Sequence, residues 1–405
     1  MGEIYELCEK CKGRGFCNQP CKILSSMKDF MPKVKLHFSG SSPPEIFIGR
    51  YNYPNVFAGV LSPQETGSTE VYGMPELWFK RKAEIQDILG YRGKLIYGRF
   101  KSNVKNKDNK FLGVMQEVSM ANKSVSTEFF LKKAPKLNLE VDKHYPVIGN
   151  PGAIESIRLE ENPHIAKKVE YLVSDDDVKS CNAINELHSS KIEISNIIKI
   201  LSAGLLGLRM QRKLVPTRWA VTAVDDSISK ALLERIRFFS EIQEFQLFHS
   251  EYLGNHYEFL LLPGKFSFEV LEAKMTGSVW NPSGSLSISQ DYEGFYGRKE
   301  YADNVTGAYY ANRLALCEYF SRIQRQGACL VLRECKPEYY APLGVGILRE
   351  ASRDAFEKKP EVFSGINEAL EQAGKRMKLP VNLFKEKSWL LKEYGRQKTL
   401  SSFIG

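Results

Sequence analysis

Four cysteines, Cys8, Cys11, Cys17 and Cys21, stand within fourteen residues as a C-x2-C and a C-x3-C pair, joined by a link that contains Gly13 and Gly15. Four thiolates satisfy tetrahedral zinc, and glycines let the backbone close tightly round the ion. Such a site has no open position for water, so the Zn2+ expected here is structural. Cys181, Cys317, Cys329 and Cys335 are scattered through apolar sequence and read as small core residues. The first eight residues lack a basic start and an apolar signal core, so the chain reads as intracellular and cytoplasmic, where clustered cysteines favour metal over disulfides.

A second set of residues offers acid–base or metal chemistry. Arg218, Asp225, Asp226, Glu272, Arg313, Arg349 and Glu350 lie at expected strand ends and helix starts. Gathered in one cleft they would hold a divalent ion or move protons. Dispersed, they are helix caps and ion pairs. Between residues 276 and 304 the sequence is rich in Gly, Ser and aromatics, with Trp280, Tyr292, Tyr296, Arg298 and Lys299. In the helix that follows, Tyr309 and Arg313 are four apart and share a face. Rings interleaved with cations suit unpaired bases and their phosphates. The same rings would equally anchor a long loop to its core.

The last nine residues, 397–405, place Gln397, Leu400, Phe403 and Ile404 at the spacing Gln-x-x-aliphatic-x-x-aromatic-apolar. One helical turn would put the three apolar side chains on one face, a plug for a shallow groove on a partner, capped by the Gln amide. The pattern resembles the box that binds the replication sliding clamp, PCNA, with Ile404 where a second aromatic is usual. The alternative is docking on the chain's own core.

These residues need a body to hold them. The chain has 405 residues, 43% hydrophobic and 26% charged, which suits a globular protein of two or three cores. The net charge of +9 is compatible with nucleic acid and does not establish it. No stretch approaches the ~20 apolar residues of a membrane span. No phosphate-binding G-x-x-x-x-G-K-[ST] loop and no zincin helix occur, which argues against ATP-driven unwinding and zincin-type proteolysis.

The periodicity predicts an α+β fold of mixed and antiparallel sheets with packed helices and a small four-cysteine zinc knob. Helices are expected over 74–89 and 111–120, and in three pieces over 164–208 with breaks near 175–177 and 189–190. Residues 214–226 read as an extended run into a helix capped by Asp225 or Asp226. Residues 241–275 read as an antiparallel meander, 276–304 as a loop, 307–326 as an amphipathic helix, and 344–348 as a buried strand. Helices are expected over 365–377 and 383–394.

Taken together, the cysteine cluster, the run Arg218-Trp219-Ala-Val-Thr222-Ala-Val-Asp225-Asp226, the Trp280-Asn281-Pro282 turn and Gly307-Ala-Tyr309-Tyr310-Ala-Asn-Arg313-Leu resemble the archaeal Nre DNA-repair family. Tyr339, Gly344, Arg349-Glu350 with Arg353, and the box at 397–404 extend that resemblance over nearly the whole chain. It implies regions 1–25 (zinc motif), 26–284 (N-terminal), 285–394 (C-terminal) and 395–405 (clamp-binding tail). It also implies a role in DNA-damage repair, clamp contact through Gln397, Leu400, Phe403 and Ile404, and zinc on the four cysteines, while DNA binding that includes single strands is the expectation from the aromatic stretch. It implies no particular reaction; a clamp-recruited nuclease or base-modifying enzyme is the competing reading.

Overall fold

The computed structural model describes residues 10–16, 20–30, 33, 35–106, 108–135, 139–282 and 284–394. The chain forms two units. The first comprises the described residues up to Ile228 with Ala341–Ile347; the second comprises Ser229–Tyr340 and the described residues from Leu348 onward. Their boundary falls inside one helix, Thr217–Ile236. No helix among the described residues is long and apolar enough to cross a membrane.

The first unit is built on a six-stranded sheet of β1 (His37–Ser42), β2 (Ile46–Ile48), β3 (Asn55–Ser62), β4 (Ile96–Asn103), β5 (Val125–Leu131) and β6 (Pro151–Leu159). The order is β1-β5-β6-β4-β3-β2, antiparallel throughout except where β4 runs parallel to β6. Val56, Ala58 and Val60 alternate into the core along β3, as a period of two requires. Between them Gly59 lies so close to β4 that a Cβ would come within 1.9 Å of the Gly98 carbonyl oxygen, so only glycine fits there. Helices Leu112–Met120 and Ile194–Ser202 cover the sheet, the latter through Ile194, Ile197 and Ile200.

Two buried carboxylates tie this unit together. Glu45 takes Arg92 at 3.1 Å and Lys199 at 2.8 Å, so the turn before β2 is fixed to helix Ile85–Lys94 and to helix Ile194–Ser202. Asp142 accepts the backbone N–H of His144 at 2.9 Å, its ring Nδ1 at 2.7 Å and Arg218 Nη1 at 2.9 Å, with Arg50 Nε at 4.0 Å. Burial alone would raise the Asp142 carboxyl; the His144 hydrogen bond and then the Arg218 charge outweigh it and hold the group down at about 2. Burial likewise lowers His144, keeping its ring neutral.

The second unit adds β7 (Ser240–Glu241), β8 (Phe245–Tyr252), β9 (Asn255–Leu262), β10 (Ser267–Lys274), β11 (Ser287–Glu293), β12 (Arg325–Gln326), β13 (Ala328–Cys335) and β14 (Glu361–Phe363). Its main sheet runs β11-β10-β13-β9-β8-β14, while β7 and β12 pair separately. Both faces of the main sheet are covered. Helices Ile366–Arg376, Asn382–Lys385 and Trp389–Tyr394 bury Leu370, Phe384 and Leu390 against Leu260, Leu271 and Leu330. On the other face Phe356 meets Phe248 and Phe259, and Tyr309 meets Phe268. Strands buried on both sides read as continuous apolar runs. Buried Glu269 accepts the backbone N–H groups of Trp389 at 2.8 Å and Leu390 at 2.9 Å, capping the last helix onto the sheet.

Several elements differ from the sequence reading. The expected helix over 74–89 is two, Pro75–Lys80 and Ile85–Lys94, separated where Lys82 adopts φ +53°. Residues 214–226 do not run extended into a cap at Asp225; the helix begins at Thr217, directly after Pro216, and Asp225 is a buried mid-helix residue. The meander is broken, because β13 inserts between β9 and β10 and runs parallel to β10. The 276–304 loop contains edge strand β11. Residues 344–348 turn at Gly344 (φ +80°) and enter helix Val345–Glu357 instead of forming a strand. Helix Gly307–Ile323 is buried almost all round, not along one stripe.

Asp142→Asn leaves Arg218 and Arg50 facing a neutral amide and is expected to destabilise the first unit by about 3 kcal/mol. The measurement is the denaturant midpoint at pH 7. Because the Asp142 carboxyl is depressed, its contribution is complete above the unfolded value of about 3.9. It fades as pH falls toward the folded value, so wild-type and variant midpoints converge in acid.

Candidate nucleic-acid interface

In the second unit the segment after β11 is held by charge. Asp291 accepts the backbone N–H groups of Asn304 at 3.1 Å and Val305 at 2.7 Å, and its other oxygen pairs with Arg298 at 3.1 Å. Arg298 also donates to the carbonyls of Tyr292, Glu300 and Tyr301. Burial raises the Asp291 carboxyl, and the Val305 amide and Arg298 only partly offset it. Below the loop Glu293 pairs with Arg313 at 3.1 Å, and Tyr301 stacks on Tyr310 with centroids 5.2 Å apart. The backbone therefore leaves β11, closes on itself and returns to the helix at Gly307 under these ties.

What this frame presents is a tight turn, Gly294-Phe295-Tyr296-Gly297. Gly297 donates its N–H to the Gly294 carbonyl at 2.9 Å and adopts φ +82°, a conformation natural to glycine. Phe295 and Tyr296 sit at the two central positions with rings 5.4 Å apart, edge to face. Tyr296 is 94% exposed. The guanidinium of Arg237 and the ammonium of Lys265 lie 5.7 and 5.5 Å from the Phe295 ring centroid. Phe238, beside Arg237, is 89% exposed, and Lys299 is exposed with no ion pair or hydrogen bond of its side chain among the described residues. Exposed rings beside cations on a pinned turn suit base stacking with phosphate contact.

The predicted residues therefore separate. Tyr292, Tyr296 and Lys299 are at the surface, although Trp389 covers one face of Tyr292 at 4.5 Å. Tyr309 and Arg313 are buried beneath the turn against Arg298 and Glu293, Trp280 is buried at the other end of the β10–β11 ladder, and Arg298 is the strut of the turn. Phe295 belongs to the aromatic stretch read from sequence, whereas Arg237 and Lys265 reach it from outside that stretch and left no signal in spacing.

Members of the proposed acid–base set in the second unit are engaged in ion pairs. Glu272 pairs with Arg333, Arg313 with Glu293, and Glu350 with Arg353, whose other partner is Glu318. Arg349 is buried. In the first unit Arg218 serves Asp142, Asp225 is buried and Asp226 is half-buried.

Of the cysteine cluster, Cys11 and Cys21 are described; Cys8 and Cys17 lie outside the described residues, as do Gln397, Leu400, Phe403 and Ile404. Both described thiols receive backbone N–H groups, Cys11 Sγ from Phe16 at 3.2 Å and Cys21 Sγ from Leu24 at 3.5 Å. Cys21 is the N-cap of helix Lys22–Lys28, and Gly13 and Gly15 both adopt positive φ. This donor chemistry fits a zinc-binding loop.

Comparison with known proteins finds a model described as archaeal Nre, N-terminal, matching residues 16–281, and one described as archaeal Nre, C-terminal, matching residues 293–403. The chain is 36% identical over 399 residues to a DNA repair protein NreB of Archaeoglobus fulgidus, covering 98% of this chain and 100% of that one. A DNA repair protein NreA of the same organism is 36% identical over 404 residues, 98% of each chain. A DNA repair protein NreA of Haloferax volcanii is 35% identical over 351 residues, 83% of each. No solved structure matches.

Arg298→Ala removes the strut of the turn. Losing a charged hydrogen-bond set of ~1.5 kcal/mol or more should speed chymotryptic cleavage after Phe295 or Tyr296 about tenfold, with the global melting temperature little changed. An unchanged cleavage rate would mean that other contacts pin the turn.

Proposed function

The chain belongs to the archaeal Nre family, and from that membership we propose that it is a DNA-repair protein, acting inside the cell, that binds single-stranded DNA and is moored to the sliding clamp PCNA. The observation that carries the DNA-binding part is the pinned turn with fully exposed Tyr296 beside Phe295, Arg237, Lys265 and Lys299. Unpaired bases stack on Tyr296 and on the open part of Tyr292, and the cations meet the backbone phosphates. Mooring falls to Gln397, Leu400, Phe403 and Ile404, and the zinc to Cys8, Cys11, Cys17 and Cys21, where the ion would close the loop as a structural brace.

A weak ligand on a ring encircling DNA raises the local concentration of the second, DNA-binding surface.

The two contacts are separable. Tyr296→Ala should weaken a short single strand by ~1–3 kcal/mol in a titration at fixed salt while leaving clamp binding intact. Deleting residues 397–405 should abolish clamp binding and leave DNA affinity nearly unchanged. Equal loss of both functions from either change would refute the modular reading. Metal analysis of the purified chain should give about one zinc per chain; a content near zero removes the zinc assignment.

A further inference from the structure

The first unit carries a cavity of about 180 Å³ that the turn in the second unit does not use. It holds ~six waters at about 30 Å³ each, the scale of one flat ring system and smaller than a drug-sized site. Its walls are the rings of Phe47, Tyr51, Phe57 and Tyr97, and its charged groups are Arg99 and Glu140. The strands explain the shape. Phe57 and Arg99 come from neighbouring β3 and β4, and Phe47 from β2, where its carbonyl accepts the Tyr97 hydroxyl at 3.1 Å.

The polar groups of this cavity are poised. The Arg99 guanidinium lies 4.2 Å from the Phe57 ring centroid and has neither ion pair nor hydrogen bond among the described residues. Glu140 is held by Lys12 at 3.2 Å. Lys12 and Arg50 lie over the exposed Tyr51 ring, at 4.7 and 5.2 Å, and Lys101 lies 5.6 Å from the Phe57 centroid. An aliphatic ligand would leave Arg99 unmatched, and a bare phosphate would leave the rings unmatched. A flat heteroaromatic ring with both N–H and C=O groups on its edge matches rings, donor and acceptor together. A phosphate attached to it would meet the cations at the rim.

We propose that this cavity binds an unstacked nucleobase, with its adjoining phosphate against Lys12, Arg50 and Lys101. The site shares with the function proposed above only its class of ligand, because it lies in the other unit. The base is supplied either by a strand that everts one nucleotide or by a free nucleotide.

The test uses the full chain, with dAMP and dTMP observed by saturation-transfer NMR and a labelled short single strand by anisotropy at fixed salt. Gly49 lines the cavity, and a Cβ there makes ordinary contacts with the Phe57 carbonyl oxygen at 3.5 Å and the Phe47 ring at 4.0 Å, so Gly49→Val adds bulk from a position that accommodates a side chain. Arg99→Ala removes the donor and breaks no internal hydrogen bond among the described residues, so it carries the test if Gly49→Val fails to fold. Both variants should weaken nucleotide binding about tenfold or more, with melting unchanged and with Tyr296→Ala without effect on it. Weakening of the single strand as well, or of the strand alone, identifies an everted base. Weakening of the mononucleotide alone identifies a free nucleotide. If neither ligand responds to either variant, the proposal is overturned. If Tyr296→Ala leaves strand affinity intact while Gly49→Val lowers it, the turn is excluded and the cavity stands.

Discussion

A carboxylate removed from water must be met by cations or N–H groups, and in this protein that requirement recurs wherever distant segments have to be joined. Glu45 gathers Arg92 and Lys199, Asp142 gathers His144 and Arg218, and Asp291 gathers Arg298, Asn304 and Val305. Each fixes a segment that lacks a ladder of its own: a turn, an irregular crossing, a long excursion. Apolar burial drives each unit together, but it is non-directional and would tolerate several arrangements of those segments. The carboxylates narrow the choice.

The same device prepares a surface for binding. A loop that had to order on contact with DNA would lose affinity to its own conformational entropy. Here Arg298 holds four backbone or side-chain oxygens and Asp291 holds two amides, so the turn at Tyr296 is already shaped. The price in sequence is a floor of large buried residues, Tyr309 and Arg313, that resemble contact residues in composition.

That resemblance explains much of what was and was not legible. Helix breaks at 175–177 and 189–190 were readable because Asp and Ser clusters disfavour helix locally, and the helices Lys167–Ser174, Ser180–Ser189 and Ile194–Ser202 respect them. The run Trp219-Ala-Val-Thr-Ala-Val looked like a strand because its β-branched residues are pleat formers, yet Pro216 and burial on neighbouring elements made it a helix. The insertion of β13 beside β10 is a long-range pairing with no local signature. The aromatic-rich stretch pointed to the right region, but exposure divided it: only burial separates Tyr296 from Tyr309. The Asp142–Arg218 pair spans 76 residues and the Phe47–Tyr97–Arg99 cavity joins three strands, so neither was visible in spacing. The paired cysteines were conspicuous; the backbone amides that donate to Cys11 and Cys21 were not.

The cap that Glu269 places on helix Trp389–Tyr394 sets where the chain can be dissected. Trimming upstream of Ser388 would strip that buried carboxylate of the Ser388 hydroxyl and two amide donors and leave it with the Gln290 side-chain amide. Loss of function in such a shortened protein would report a weakened body, whatever the missing segment does. A cut after Tyr394 leaves the cap whole, and comparisons of long and short forms are interpretable only on that side of it.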